Sequence, residues 1–199
     1  MQKKSFLIVG HTGFIGQKLL KKIKKEKGQI FLISRKISKK KKNQNEYEYD
    51  VFNNYDWFKY LKNNMTIFFL AYNNNLYELE KNKNYISKIV NFCTHFNEYL
   101  IKKKIKVNFI FTSTATIYGI TRIKQKVSEK FPDNPISLYD KSKLCFENVF
   151  FDYTKKTNSN FISLRLTNIY GYYSNNKQIN RGFLNKLINK SINDIDIEI

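Results

Sequence analysis

The sequence predicts an α/β domain built on a doubly wound parallel sheet. Three observations carry this. Short segments rich in Ile, Phe, Val and Leu alternate with longer segments of helical periodicity. The strand-like segments are continuously apolar, as strands covered on both faces are. Glycine occurs only seven times in 199 residues, and three of the seven, Gly10, Gly13 and Gly16, follow directly on the first apolar segment.

Each element follows from its residues. Ser5–Val9 (SFLIV) reads as a buried strand and Gly10–Gly16 (GHTGFIG) as a tight turn. From Gln17 to about Lys27 a helix is expected, with Leu19, Leu20 and Ile23 on its apolar face and Gly28 ending it. Gln29–Ser34 (QIFLIS) is a second strand, and Arg35–Asn45 a lysine-rich, solvated loop. Tyr47–Val51 and Thr66–Ala71 (TIFFLA) are further strands. A long helix is expected from about Asn82 to Lys104, then the strand Val107–Thr112. A loop holding Pro132 and Pro135 leads to a helix from about Leu138 to Lys155, and Asn160–Leu166 (NFISLRL) is a last strand. There is no internal repeat, and the only low-complexity patch is the Lys/Asn-rich loop at 36–45.

Composition excludes several classes of function. At 42% hydrophobic and 26% charged the chain is globular. It holds no apolar run near the roughly 18 residues of a membrane span. The apolar stretch Phe6–Val9 is shorter than the about 7–15 residues of a secretory core. Cys93 and Cys145 form neither a disulfide framework nor a metal pair, and with two histidines no metal site is expected. A reduced, cytoplasmic protein follows. The net charge of +20 invites a nucleic-acid reading. Against it, Lys outnumbers Arg 32 to 4, Asn occurs 25 times and Ala twice. AT-rich codons explain that mixture, and a phosphate-binding surface recruits Arg. No specific nucleic acid is expected as a partner.

The bias makes the glycines informative, because drift disfavours them while backbone geometry retains them. GHTGFIG spaces its glycines GxxGxxG between a strand and a helix, a context that makes a phosphate cradle. Backbone can approach a pyrophosphate there, and the N-terminus of the helix that follows offers N–H groups and a positive dipole end. This is the Rossmann-type arrangement. The second strand ends Ile33-Ser34-Arg35-Lys36, without the carboxylate that binds an NAD ribose. NAD and NADP both stay open, with Ser34 and Arg35 tilting the reading toward NADP. Tyr139 and Lys143 are spaced YxxxK on a helix and so share a face. An ammonium beside a phenol lowers the phenol's pKa from about 10 and makes it a base near neutral pH. Hydroxyls crowd Thr112–Thr116 at the end of a buried strand, where open α/β sheets place ligands.

GHTGFIG, TSTATIYG, YDKSK and LRLTNIYG, in that order, resemble the extended short-chain dehydrogenase/reductases. More narrowly, they resemble the NAD-dependent epimerase/dehydratase family acting on nucleotide sugars. The resemblance spans nearly the whole chain. It implies Thr114, Tyr139 and Lys143 as catalytic residues. It implies contacts to the cofactor from Gly10, Gly13, Phe14, Ile15, Gly16, Ser34, Arg35, Asp50, Val51, Leu70, Ala71, Thr112, Tyr139, Lys143 and Thr167. Thr114 and Asn168 would meet the substrate, while Arg165 and Glu147 read as structural. Tyr72 departs from the small residue common after Leu-Ala. No Asp-Glu pair follows Thr114, which favours an epimerase or reductase over a dehydratase.

The resemblance also divides the chain. Residues 1–172 match the dinucleotide-binding domain and 173–199 the start of a substrate-binding region. The stretch Asn180–Leu184 fits that start, and the terminal DIDIEI resembles a strand within it. The substrate domain is therefore expected to be largely missing, as in a truncated chain. The implied function is hydride transfer on a nucleotide sugar with NAD or NADP, in surface polysaccharide biosynthesis, possible homodimer formation included. The alternatives are a dinucleotide-binding remnant without turnover and, last, a basic nucleic-acid-binding protein.

Overall fold

The computed structural model describes residues 4–36, 45–72, 84–120, 126–171, 183–193 and 195. The chain forms two compact units, Met1–Arg165 and Leu166–Ile199. The strands are β1 (Lys4–Val9), β2 (Gly28–Ser34), β3 (Glu46–Glu48), β4 (Met65–Phe69), β5 (Val107–Thr114) and β6 (Asn160–Leu166). The helices are α1 (Phe14–Ile23), α2 (Tyr85–Lys103), α3 (Leu138–Thr154) and, in the second unit, α4 (Phe183–Ile192).

The sheet order is β3-β2-β1-β4-β5-β6. β1 pairs in parallel with β2 (Phe6 opposite Ile30) and with β4 (Phe6 opposite Thr66). The chain therefore winds outward from β1 twice, in opposite directions. The expected doubly wound parallel sheet is the one found. The crevice where the winding reverses lies at the C-terminal ends of β1 and β4.

Alternation along the strands explains why both faces are apolar. Leu7 and Val9, with Phe31 and Ile33, enter the large core shared with α2 and α3. Ile8 and Leu32 point the other way and meet Ile23 of α1. The large core is aromatic. Phe146 stacks on Phe111 (ring centres 4.0 Å apart) and on Phe150 (4.7 Å), and Phe69, Phe92, Phe96 and Phe109 surround them. Such pairs contribute about 0.5–1.5 kcal/mol beyond area burial.

Element ends differ from expectation for local reasons. α1 starts at Phe14 rather than Gln17, because Gly13 already caps it and accepts the Gln17 N–H at 2.9 Å. It stops at Ile23 rather than Lys27, since no apolar side chain follows that would bury a further turn. Gly28 opens β2 instead of ending the helix. β3 covers only Glu46–Glu48, β4 ends at Phe69, and β5 runs on to Thr114. Two 3-10 turns, Asp56–Tyr60 and Ala115–Tyr118, carried no periodic signal and were not expected; helix α4 was not expected either, although Leu184, Leu187, Ile188 and Ile192 recur at helical spacing. The lysine-rich stretch 37–44, Asn82, residues 180–182 and most of the terminal DIDIEI lie outside the described residues.

Candidate functional site

The parallel strands bring the sequence-predicted residues of the first unit to one edge of the sheet. At the end of β1, Gly10 takes φ +90° and its N–H donates to the Ile33 carbonyl at 2.7 Å. A Cβ there would sit 2.8 Å from the Ala71 nitrogen. The turn thus needs glycine twice over: for the left-handed backbone and for the close passage of β4. A Cβ on Gly16 would lie 2.6 Å from the His11 Cα, so this glycine lets helix and turn pack. Gly13 is different. Its Cβ would meet only the Gly10 carbonyl, at 3.3 Å, and otherwise point into open space beside the start of α1.

That opening tests whether a dinucleotide fits. Gly13 caps α1 with no side-chain bond, no acid stands in the first turn, and Lys21 and Lys22 occupy the last. Among the described residues no acid of the first turn offsets the positive end of the helix, beside a cradle that a Cβ at Gly13 would narrow. Both features suit a pyrophosphate, so the residues present fit NAD or NADP.

Ser34, at the end of β2, is buried, and its hydroxyl pairs with that of Thr12 at 2.6 Å. Arg35 is exposed. Of the two, only Arg35 extends toward solvent. Asp50 is exposed and forms its own turn after β3, accepting from the Asn53 side chain at 2.8 Å. The Val51 side chain is buried in the core, which leaves only its backbone to face a ligand. Leu70 follows β4, donating its N–H to the Val9 carbonyl at 2.9 Å, and Ala71 flanks Gly10.

β5 and α3 meet at this same end of the sheet. The Thr112 hydroxyl donates to the Phe69 carbonyl at 3.3 Å, and the Thr112 carbonyl accepts from Lys143 Nζ at 2.5 Å. Lys143 is buried, with its ammonium 3.7 Å from the centre of the Tyr72 ring, 4.6 Å from that of Phe111 and 5.4 Å from that of Tyr139. Burial pushes the lysine well below its ordinary value, opposed by Glu147 one turn on. Tyr139 packs edge-on against Tyr72, ring centres 5.9 Å apart. Its phenol is pushed up to about 12, first by burial and then by the charge of Asp140. The expectation that Lys143 lowers this value is therefore corrected. The ammonium is directed at the Thr112 carbonyl and at aromatic faces, while the charge that raises the phenol is that of Asp140.

Thr114, Thr116 and Asp140 form a line. The Thr114 and Thr116 hydroxyls are 2.7 Å apart, Thr116 donates to Asp140 Oδ1, and Ser137 Oγ donates to Asp140 Oδ2 at 2.6 Å. Ser137 and Asp140 are the capping box that starts α3.

Several of these residues escaped sequence reasoning. Thr116 lay in a hydroxyl-rich motif and Asp140 beside Tyr139, but spacing alone did not join them. His11, inside the glycine turn, is buried against Glu46 of β3, Nε2 to Oε1 at 2.6 Å. Its Nδ1 faces the Ile33 carbonyl at 3.2 Å, which can only accept, so that nitrogen carries a proton. This pair ties three strand ends together. No signal in the sequence points from position 11 to position 46. Thr167 and Asn168 belong to the second unit, where both are exposed. Among the described residues no group of three or more His, Cys, Asp or Glu could hold a metal ion. Among the same residues no helix is long and apolar enough to cross a membrane.

Known structures share this fold. A UDP-N-acetylglucosamine 4-epimerase from Methanobrevibacter ruminantium M1, in complex with UDP-N-acetylmuramic acid, superposes with a TM-score of 0.79 at 20% identity, over 98% of this chain and 64% of that one. The UDP-glucose 4-epimerase of Thermotoga maritima, with UDP-glucose, gives 0.80 at 19% identity, over 98% and 65%. The UDP-glucuronic acid 4-epimerase of Bacillus cereus, in complex with NAD, gives 0.71 at 21% identity, over 96% and 63%. The chain thus spans less than two thirds of the length of each. No curated protein matches it. The family match runs from residue 6 to residue 198, and the chain belongs to the NAD dependent epimerase/dehydratase family.

Proposed function

We propose that the protein is the dinucleotide-binding part of an epimerase or reductase that acts on a nucleotide sugar with NAD or NADP. The observation that carries this is the meeting of Lys143, Tyr139 and the Thr114 hydroxyl line at the same sheet edge as the Gly13 cradle. Gly10, Gly13 and Gly16, with the backbone of Phe14 and Ile15, would hold the pyrophosphate. Asp50 and the Val51 backbone would meet the adenine, and Arg35 the ribose, with a 2′-phosphate favoured by its charge. Leu70, Ala71, Thr112 and Thr167 would line the cofactor's remaining length. The bound nicotinamide supplies or accepts hydride. Lys143 would bind its ribose, and Tyr139 would exchange a proton with the reacting sugar oxygen at Oη. Thr114 would hydrogen-bond that same oxygen, and Asn168 would meet the substrate.

Tyr139 holds its proton at neutral pH, which suits the half-reaction that protonates a keto-sugar oxygen. The division into residues 1–172 and 173–199, a cytoplasmic setting, a role in surface polysaccharide synthesis and homodimer formation are parts of the same reading. Because the chain covers only 64% and 65% of the two neighbours, the 199-residue chain is expected to bind dinucleotide and to turn over sugar poorly. Catalysis draws on binding energy from remote parts of the substrate, here nucleotide and phosphates. Titration with NAD and NADP is the test. No binding of either overturns the assignment, and an Arg35→Asp variant that leaves the NAD/NADP preference unmoved overturns the role of Arg35.

A further inference from the structure

Asp140 accepts three hydrogen bonds: from the Thr116 hydroxyl, from the Ser137 hydroxyl at 2.6 Å and from the Ser137 N–H at 3.2 Å. A carboxylate has nothing to donate. Thr116 owns one hydroxyl proton, and it points to Asp140. Its contact with Thr114, at 2.7 Å, must therefore be filled by the Thr114 proton. Thr114 Oγ1 also accepts the Thr116 N–H at 3.3 Å. That leaves one lone pair, and no proton, to offer a ligand.

From this accounting we infer that Asp140, acting through Thr116, is a positioning residue that makes Thr114 a pure hydrogen-bond acceptor toward its ligand. Resting on the function proposed above, the inference deepens it. Such a site holds a sugar hydroxyl, which can donate, in preference to a keto-sugar oxygen, which cannot. In its alcohol form the reacting sugar donates its one hydroxyl proton to Thr114; that proton must turn to the Tyr139 oxygen, which takes it as the phenolate when hydride leaves, and the ketone so formed keeps no bond to Thr114. A buried polar group that loses its partner is penalised by its full desolvation, so the keto form is disfavoured at this contact. Asp140 is buried, 6% exposed, so water competes little for the line.

The capping box makes the direction reversible by one isosteric change. In Asp140→Asn the Ser137 hydroxyl and N–H still need an acceptor where Oδ2 lies, so the amide oxygen goes there. The amide nitrogen then faces Thr116 and donates to it. Thr116 turns its proton to Thr114, and the Thr114 proton swings outward. Thr116→Val reaches the same end by removing the inner acceptor.

The experiment is proton NMR of the full 199-residue chain with labelled threonine, following the Thr114 hydroxyl proton without added ligand. Expected is a resonance for Thr114 in the unsubstituted protein, shielded from exchange with water. In Asp140→Asn and in Thr116→Val it exchanges at least tenfold faster, or vanishes, with the methyl spectrum preserved. A 13Cζ-tyrosine titration, assigned with Tyr139→Phe, adds a second readout. The Tyr139 midpoint falls in Asp140→Asn, where a charge is lost, and stays in Thr116→Val. The groups facing that phenol are Asp140, Lys143 and Tyr72. A Thr114 proton that exchanges freely in the unsubstituted protein, or stays shielded in whichever variant folds, overturns the inference. NAD titration of the same samples is scored separately: its failure removes the proposed function and leaves the hydroxyl readout standing.

Discussion

The Lys143 ammonium lies 3.7 Å from the centre of the Tyr72 ring, while the Tyr72 hydroxyl donates to Ser142 Oγ at 2.9 Å. One tyrosine thus covers the face of the buried lysine and bonds to the residue beside it. Ser142 in turn donates to the Tyr139 carbonyl at 2.7 Å. Tyr72, which departs from the family pattern, thus holds Lys143 in place together with the Thr112 carbonyl.

Tyr72→Phe keeps the ring and removes the bond to Ser142, so it should cost about 1 kcal/mol. Tyr72→Leu also removes the cation–π contact, worth about 2 kcal/mol when desolvated. With it the cationic form of Lys143 loses support, and the lysine pKa should fall further. Urea unfolding and 15N NMR of the lysine ammonium check both. Equal Lys143 titration in the two variants would sink the cation–π argument.

Lys143→Met should stabilise the chain by about 1 kcal/mol near neutral pH and abolish dinucleotide binding. Methionine fills similar space without a buried charge. The sign of the pH effect follows. The folded value of Lys143 lies below the unfolded 10.5, so the unfolded chain binds the extra proton between the two. Stability from this group rises with pH across that window, and the rise should disappear in Lys143→Met. Tyr139 acts oppositely: its folded value of about 12 lies above the unfolded 10, so its contribution is full below pH 10 and lost as pH climbs through 12.

Gly13→Ala and Gly16→Ala should separate binding from folding. At Gly16 the new methyl meets backbone at 2.6 Å and 2.9 Å, and a loss of about 2 kcal/mol or more is expected. At Gly13 it meets one carbonyl at 3.3 Å and open space, so stability should change by less than about 1 kcal/mol. Dinucleotide affinity should still fall at least tenfold, about 1.4 kcal/mol. If Gly13→Ala binds NAD and NADP normally, the cradle is misassigned.

Glu147→Ala should be among the most destabilising polar changes, at about 3 kcal/mol. Glu147 is buried and accepts from Arg165 at 2.7 Å and from Ser163 at 2.7 Å, while Arg165 reaches on to Asp133 at 2.6 Å. Loss of the carboxylate leaves the guanidinium, 19% exposed, with Asp133 as its remaining acidic partner, and leaves the Ser163 hydroxyl without its acceptor. It also removes the charge that supports Lys143, so the lysine pKa should drop. Thermal unfolding reads the first effect, and a loss under 1 kcal/mol would show the cluster to be dispensable.

By itself the sequence determined the parallel sheet, its winding and the sheet edge at which the candidate site residues gather. Those follow from strong local signals: continuous apolar runs such as SFLIV and TIFFLA, and a glycine turn whose backbone at Gly10, at φ +90°, tolerates no side chain. It also put Tyr139 and Lys143 on one helical face, because four residues make about one turn. Only the tertiary structure decided what those side chains do there. Lys143 reaches Thr112 across 31 positions, Thr116 reaches Asp140 across 24, and His11 reaches Glu46 across 35. Proton direction and pKa depend on such partners, and partners distant in sequence leave no period to read. The phenol expected to be lowered by its lysine is instead raised by burial and a neighbouring acid. The helix spacing was right, but the direction of an ammonium is set by packing on the far side of the sheet edge.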